Sequence, residues 1–315
     1  MSALPPHGSD LLTPLNDRLI AGVDMANVAL LRLDRTGGLA PGNKYFKLQG
    51  SIAEARRRGL SRLVSFGGAW SNHLHALAAV GREQGFATVG IVRGDEASAE
   101  SAMLRDARAW GMQVIKVSRA EYRRRHQPAC LDRLRARFAP CLVLPEGGAN
   151  AEGVRGCMVI AELLREVAPA VRRVVLPVGT GTTLAGVAAG LDGSYELVGI
   201  SALKGAADLE QRVGMALAGC GATAAANWRI VHGDHCGGFA RVSSALRQFM
   251  IEFEAVQGIA LDPVYTGKML FAIHQRLQRG EWDSAAPVLA IHTGGLQGRR
   301  GFPWLEPEPA SGPVA

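Results

Sequence analysis

The stretch Val174-Val175-Leu176-Pro177-Val178-Gly179-Thr180-Gly181-Thr182-Thr183 decides the fold class. Its first five residues are apolar and mostly β-branched, which suits a strand buried on both faces. Two glycines then permit a sharp turn, and residues 183–191 carry the small apolar side chains of a buried helix. Outward in both directions the alternation repeats. Short apolar runs at 63–66, 87–93, 113–117, 141–145, 197–201 and 288–292 read as strands, and stretches at 71–84, 98–110, 120–138, 152–167 and 242–256 read as helices. Strands separated by helices of ten or more residues predict an α/β protein with parallel-type sheets and right-handed crossovers. Pro128 predicts a break inside 120–138.

The 315 residues are enough for about two domains and for a core that needs no metal or disulfide. Hydrophobic residues make up 48% and charged residues 20%, which excludes a disordered chain. Cys130, Cys141, Cys157, Cys220 and Cys236 are odd in number, widely spaced and never in a CxxC pair, so neither a disulfide framework nor a zinc site is expected. The N-terminal residues lack the pattern of a signal peptide, and no run reaches the ~18 apolar residues of a membrane span. A cytoplasmic protein without a membrane partner is expected. The net charge of +7 raises nucleic acid as a partner. Its clusters argue otherwise. Arg56, Arg57 and Arg58 close a helix before Gly59, where cations suit the helix C-terminus, and Arg123, Arg124 and Arg125 open another helical stretch. No aromatic residues interleave with them for base stacking.

Chemistry concentrates in four glycine-bearing turns: Gly42-Asn43-Lys44, Gly67-Gly68 before Ser71-Asn72-His73, Gly179 to Thr183, and Gly294-Gly295 after Thr293. The third turn suits an anion. Glycines let backbone N–H groups approach closely, the next helix offers its N-terminus, and Thr180, Thr182 and Thr183 add hydroxyls. A Walker loop would need a lysine that is absent, and a dinucleotide fingerprint would need a small residue where Leu184 stands. A plain strand-to-helix turn stays open. A lysine near a helix start is most often a surface cation, yet beside an anion-binding loop a desolvated lysine can form a Schiff base with an aldehyde cofactor. Pyridoxal phosphate supplies both aldehyde and phosphate, and Asn72 and Thr293 are of suitable type for its ring oxygen and pyridine nitrogen.

In order and over nearly the whole chain, the motifs resemble those of the 1-aminocyclopropane-1-carboxylate deaminase/D-cysteine desulfhydrase family of fold-type II pyridoxal-phosphate enzymes. They are Thr13-Pro14-Leu15, Gly42-Asn43-Lys44, Lys47-Leu48, Ser71-Asn72-His73, Glu146-Gly147-Gly148-Ala149-Asn150, the loop 179–183, Leu261-Asp262-Pro263-Val264-Tyr265-Thr266-Gly267-Lys268 and His292-Thr293-Gly294-Gly295. The resemblance implies a two-domain, tryptophan-synthase-β-like fold with helices on both faces of its sheets. It places a small domain at 48–155, a large one at 1–47 and 156–315, and pyridoxal phosphate in the cleft between them. It also implies a homodimer.

Residue by residue, the resemblance makes Lys44 the Schiff-base lysine and sets Asn72 against the ring oxygen. Gly179, Thr180, Gly181, Thr182 and Thr183 would hold the phosphate, and Thr293 would meet the pyridine nitrogen. Ser71, Asn72 and His73 would receive the substrate, with Ser71 assisting proton transfer, and Tyr265 would act beside them. Thr266 and Thr293 are hydroxyl residues where the desulfhydrases carry them, whereas the deaminases carry an acidic and an apolar residue there. The implied reaction is β-elimination on a small amino acid, D-cysteine giving pyruvate, sulfide and ammonia. Three positions depart from the family: Phe46 replaces an arginine, His75 another basic residue, and Phe239 a tyrosine that would contact substrate. The last leaves room for the cyclopropane acid or another small amino acid as substrate, and for a pyridoxal-phosphate-binding protein with weak turnover.

Overall fold

The computed structural model describes residues 8–95, 99–224 and 226–305. Strands β1 (Leu12–Pro14) and β2 (Val28–Arg32) come first; β3 (Arg62–Gly68), β4 (Ala87–Arg93), β5 (Gln113–Val117) and β6 (Cys141–Val143) follow; β7 (Arg173–Val178), β8 (Glu196–Ser201), β9 (Asn227–Val231) and β10 (Val288–His292) complete the set. They form two sheets. One has the order β1-β2-β10-β7-β8-β9 and the other β5-β4-β3-β6. Every pairing is parallel except β1 with β2. The first sheet therefore takes its strands from both ends of the chain, and the second only from residues 62–143.

Ten α-helices pack on these sheets: α1 (Asn43–Arg57), α2 (Asn72–Gln84), α3 (Ala102–Ala109), α4 (Arg119–Arg123), α5 (Pro128–Phe138), α6 (Ala151–Val167), α7 (Thr182–Gly190), α8 (Leu209–Gly219), α9 (Ser244–Gln257) and α10 (Thr266–Gln278). Both faces of each sheet are covered, as alternation along the strands shows. Val174, Leu176 and Val178 join the core beneath α6 and α7, while Val175 joins the one beneath α9 and α10. In β3, Leu63 faces α2 and α3, while Val64 and Phe66 face α4 and α5. Two buried faces require nearly continuous apolar strands, which is why these runs were readable.

Several expectations are refined. The stretch 120–138 is two helices broken before Pro128, which sits at the first position of α5, where its missing N–H costs nothing. The Arg123, Arg124 and Arg125 cluster does not open a helix: Arg123 closes α4, and Arg125 pairs with Glu146 at 2.9 Å. The helix expected from residue 98 starts at Ala102, capped by Ser101, and Ser98 lies outside the described residues. Strands β1, β2 and β9 and helices α8 and α10 went unread. Strand β2 pairs with β1 close by in sequence and with β10 over 250 residues away.

Helix α6 is squeezed between α1 and α7, and glycines make that possible. A Cβ on Gly156 would sit 2.0 Å from the Phe46 carbonyl of α1, and one on Gly186 of α7 would sit 2.5 Å from the Val154 carbonyl. Gly156→Val should therefore cost about 3 kcal/mol in urea unfolding, by overpacking against rigid backbone. Gly214→Ala, in open space inside α8, should instead gain up to about 1 kcal/mol. Equal effects from the two would contradict this packing.

Candidate active site

The turns singled out from sequence follow the carboxyl ends of strands in both sheets: β3 leads to Ser71-Asn72, β6 to Glu146-Gly147-Gly148, β7 to the loop 179–183 and β10 to Thr293-Gly294-Gly295. Ligands of parallel sheets bind at that edge. One further contact joins the turns. Gly42, at φ 121°, forms a bridge with Gly294, and its Cα packs so tightly that a Cβ would stand 2.5 Å from the Thr293 carbonyl. Only glycine fits there. The Asn43 N–H donates to that carbonyl at 3.1 Å, and the Asn43 side-chain amide donates to Thr183 Oγ1 at 2.9 Å. Asn43 thus ties the start of α1 to both β10 and the loop after β7. Sequence reading quoted Asn43 but gave it no role.

Lys44 follows directly. Its ammonium donates to Asn43 Oδ1 at 3.2 Å, and its pKa is lowered to about 7, first by desolvation and then by the charge of Lys47, one helical turn away. Lys47 is 2% exposed, donates to the Gly147 carbonyl at 3.3 Å, and is itself pushed down by burial. Lys44, Asn72 and Thr293 line one cavity of about 140 Å³, together with His75 and Gln297. Gln297 Nε2 donates to Asn72 Oδ1 at 2.5 Å. His75 bonds Asp106 through Nε2 at 3.1 Å, and Asp106 pairs with Arg300 at 2.5 Å, linking α2, α3 and the segment after β10. Sequence reading missed Gln297, Asp106 and Arg300. Each lies far in sequence from its partner, and no motif marks it.

Ser71, His73, Tyr265, Phe239 and the loop 179–183 are not among the residues lining that cavity. Ser71 caps α2, accepting from the Leu74 N–H at 3.2 Å. His73 is buried, and desolvation with the charges of Lys44 and Lys47 lowers its pKa to about 3, so it is neutral. Ser65 Oγ donates to the Leu144 carbonyl at 3.1 Å, so it accepts from His73 Nε2 at 2.9 Å. Nδ1 is then a bare acceptor, buried without a partner. In that tautomer the His73 ring has no donor left for a carboxylate.

In the loop after β7, Gly181 takes φ 85° and opens α7 without a side-chain cap, leaving first-turn N–H groups as donors. Thr180 and Thr182 hydroxyls meet at 3.2 Å. The Tyr265 ring lies over this loop: a Cβ on Gly179 would be 3.3 Å from its hydroxyl. Burial, then the Asp262 and Glu146 charges, push that phenol upward, keeping it protonated. Phe239, 53% exposed, stands edge-on to Tyr265 with ring centroids 6.3 Å apart. Buried Lys268 holds the loop beneath it, donating to the Gly238 carbonyl at 2.7 Å. Asp262 accepts from the N–H groups of Val264, Tyr265 and Thr266 at 3.0, 3.0 and 2.8 Å. The Thr266 hydroxyl donates to the same carboxylate at 2.8 Å. Thr266, one of the two positions by which the resemblance separates desulfhydrases from deaminases, is wholly buried and bonded to Asp262.

A family model for pyridoxal-phosphate dependent enzymes matches residues 20–294. A D-cysteine desulfhydrase of Salmonella choleraesuis is 28% identical over 270 residues, 81% of this chain and 82% of its own length. A Thermotoga maritima protein provisionally named a 1-aminocyclopropane-1-carboxylate deaminase is 29% identical over 284 residues, 86% of this chain and 89% of its own. The crystal structure of an ACC deaminase homologue superposes with a TM-score of 0.76 at 23% identity, covering 90% and 89% of the two chains. The chain therefore belongs to the pyridoxal-phosphate dependent enzymes. Within them it is similar to proteins named as 1-aminocyclopropane-1-carboxylate deaminases and as D-cysteine desulfhydrases.

The residues present suit that cofactor. A lysine near neutrality, an uncapped helix N-terminus with hydroxyls beside it, and an amide and a hydroxyl lining one cavity match an aldehyde, a phosphate and a substituted pyridine. Because the Lys44 amine is a free base above pH 7, uptake of pyridoxal phosphate by the apoprotein should accelerate about tenfold between pH ~6 and ~8 and then level off. Growth of the visible band measures it. A rate still climbing through pH ~10 would mean an ordinary surface lysine.

Proposed function

We propose that this enzyme carries out β-elimination on a small amino acid, D-cysteine first, consuming water and releasing pyruvate, sulfide and ammonia. The observation that carries the reading is the neutral hydroxyl of Thr293, 7% exposed on the cavity that Lys44 also lines. A hydroxyl there carries no charge and leaves a moderate electron sink, sufficient to expel a good leaving group such as a thiol. Pyridoxal phosphate, when bound, supplies that sink. Lys44 holds the cofactor and, as a free base near neutral pH, moves the proton at the substrate Cα.

The loop 179–183 holds the phosphate, chiefly through backbone N–H groups and the hydroxyls of Thr180 and Thr182. The Thr183 hydroxyl oxygen accepts from the Asn43 amide and keeps its own hydrogen to donate. Asn72 faces the ring oxygen. The substrate carboxylate meets the start of α2, where the Ser71 hydroxyl hydrogen and the N–H groups of Asn72 and His73 are the donors on offer. Tyr265 covers the opposite side as a protonated phenol. The catalytic unit is taken as a homodimer, with the small domain at 48–155.

Phe239 supports a second substrate reading. It stands against Tyr265 where the family has a tyrosine, and a ring without a hydroxyl favours a less polar side chain than D-cysteine's. The holoenzyme should be given D- and L-cysteine, D-serine, β-chloro-D-alanine and 1-aminocyclopropane-1-carboxylate, scoring keto acid, ammonia and sulfide. Sulfide and pyruvate in equal amounts from D-cysteine support the first reading, and Phe239→Tyr should then raise that turnover by about tenfold or more. Keto acid from the cyclopropane acid alone would replace desulfhydration with ring opening.

A further inference from the structure

We propose that Gln297 is a positioning residue that fixes which atom of Asn72 faces the cofactor ring; the inference rests on the cofactor site proposed above. Side-chain amides have two orientations differing only in the exchange of oxygen and nitrogen, and the surrounding partners decide between them. Here the deciding partner is a carbonyl. The Gln297 side-chain amide approaches the Trp70 carbonyl at 3.4 Å, and a carbonyl can only accept, so the atom facing it is the nitrogen. The same nitrogen lies 2.5 Å from Asn72, which must therefore present its oxygen. Asn72 Nδ2 is left on the other side, packed against Gly295: a Cβ on that glycine would be 2.6 Å from it. Gly295, Asn72 and Gln297 all line the cavity that holds Lys44.

The consequence is chemical. With Oδ1 held by Gln297, Asn72 offers the cavity an N–H donor, the group that a phenolate-like ring oxygen requires. If Asn72 turned over, it would offer a second acceptor to an electron-rich oxygen. A free asparagine would sample both orientations. Gln297 removes the wrong one from a position 225 residues away in sequence.

The test uses the full-length holoenzyme. Gln297→Met keeps side-chain volume and removes the donor. Gln297→Glu replaces the donor with acceptors and forces Asn72 to turn its nitrogen away from the cavity. The visible absorption maximum and the cofactor dissociation constant are read for wild type, both variants, Asn72→Ala and the double variant Asn72→Ala/Gln297→Met. The dissociation constant should rise severalfold in Gln297→Met and about tenfold or more in Gln297→Glu, with the band displaced in the same order. In the Asn72→Ala background, Gln297→Met should change neither quantity, because the residue acts through Asn72. Wild-type spectra and affinity in both single variants would overturn the inference, as would full additivity in the double variant. A wild-type protein that binds no cofactor would instead overturn the functional reading, so the two failures are distinct.

Discussion

The bridge between Gly42 and Gly294, with Asn43 donating to the Thr293 carbonyl at 3.1 Å, is the contact on which the site depends. Lys44 and Thr293 come from opposite ends of the chain, and each alone is an unremarkable polar residue near a glycine. The pairing of β2 with β10 brings the two ends into one sheet, and the bridge then fixes the lysine within a residue of the hydroxyl it must work beside. Asn43 carries the same constraint to Thr183, so α1, β10 and α7 are set by one short segment. The backbone contact admits no side chain at position 42, so its geometry leaves little freedom.

Around that frame the electrostatics favour an anionic guest. Two lysines stand one turn apart, Lys47 buried and Lys44 half-buried, and they donate to the Gly147 carbonyl and to Asn43 Oδ1. Desolvation pushes both pKa values down, the charge of Lys47 adds to this at Lys44, and burial together with the two lysine charges holds His73 neutral. Burying like charges is unfavourable unless something compensates them. A phosphate bound at the start of α7 would do so.

Much of this was legible in the sequence, for physical reasons. Strands buried on both faces must be largely apolar, which exposed β4, β7 and β10 with accurate bounds. Turns with positive φ favour glycine, which exposed positions 42, 181 and 294. The family motifs then followed in order, and Lys44, Asn72 and Thr293 do share one cavity. What stayed hidden depends on partners brought from far away. Gln297 gains meaning only once Trp70 and Asn72 stand beside it, and Asp106 only between His75 and Arg300. Thr266 shows the opposite case: its residue type fitted a role at the cleft, while Asp262, four positions earlier, had claimed its hydroxyl.

The central claim is that Lys44, and neither of the buried lysines Lys47 and Lys268, carries the cofactor. Borohydride reduction of the holoenzyme, followed by digestion and mass mapping, tests it most directly. A single pyridoxyl label on the peptide bearing Lys44, abolished by Lys44→Ala, is the result this account predicts. A label on Lys47 or Lys268 in the wild-type protein would contradict it.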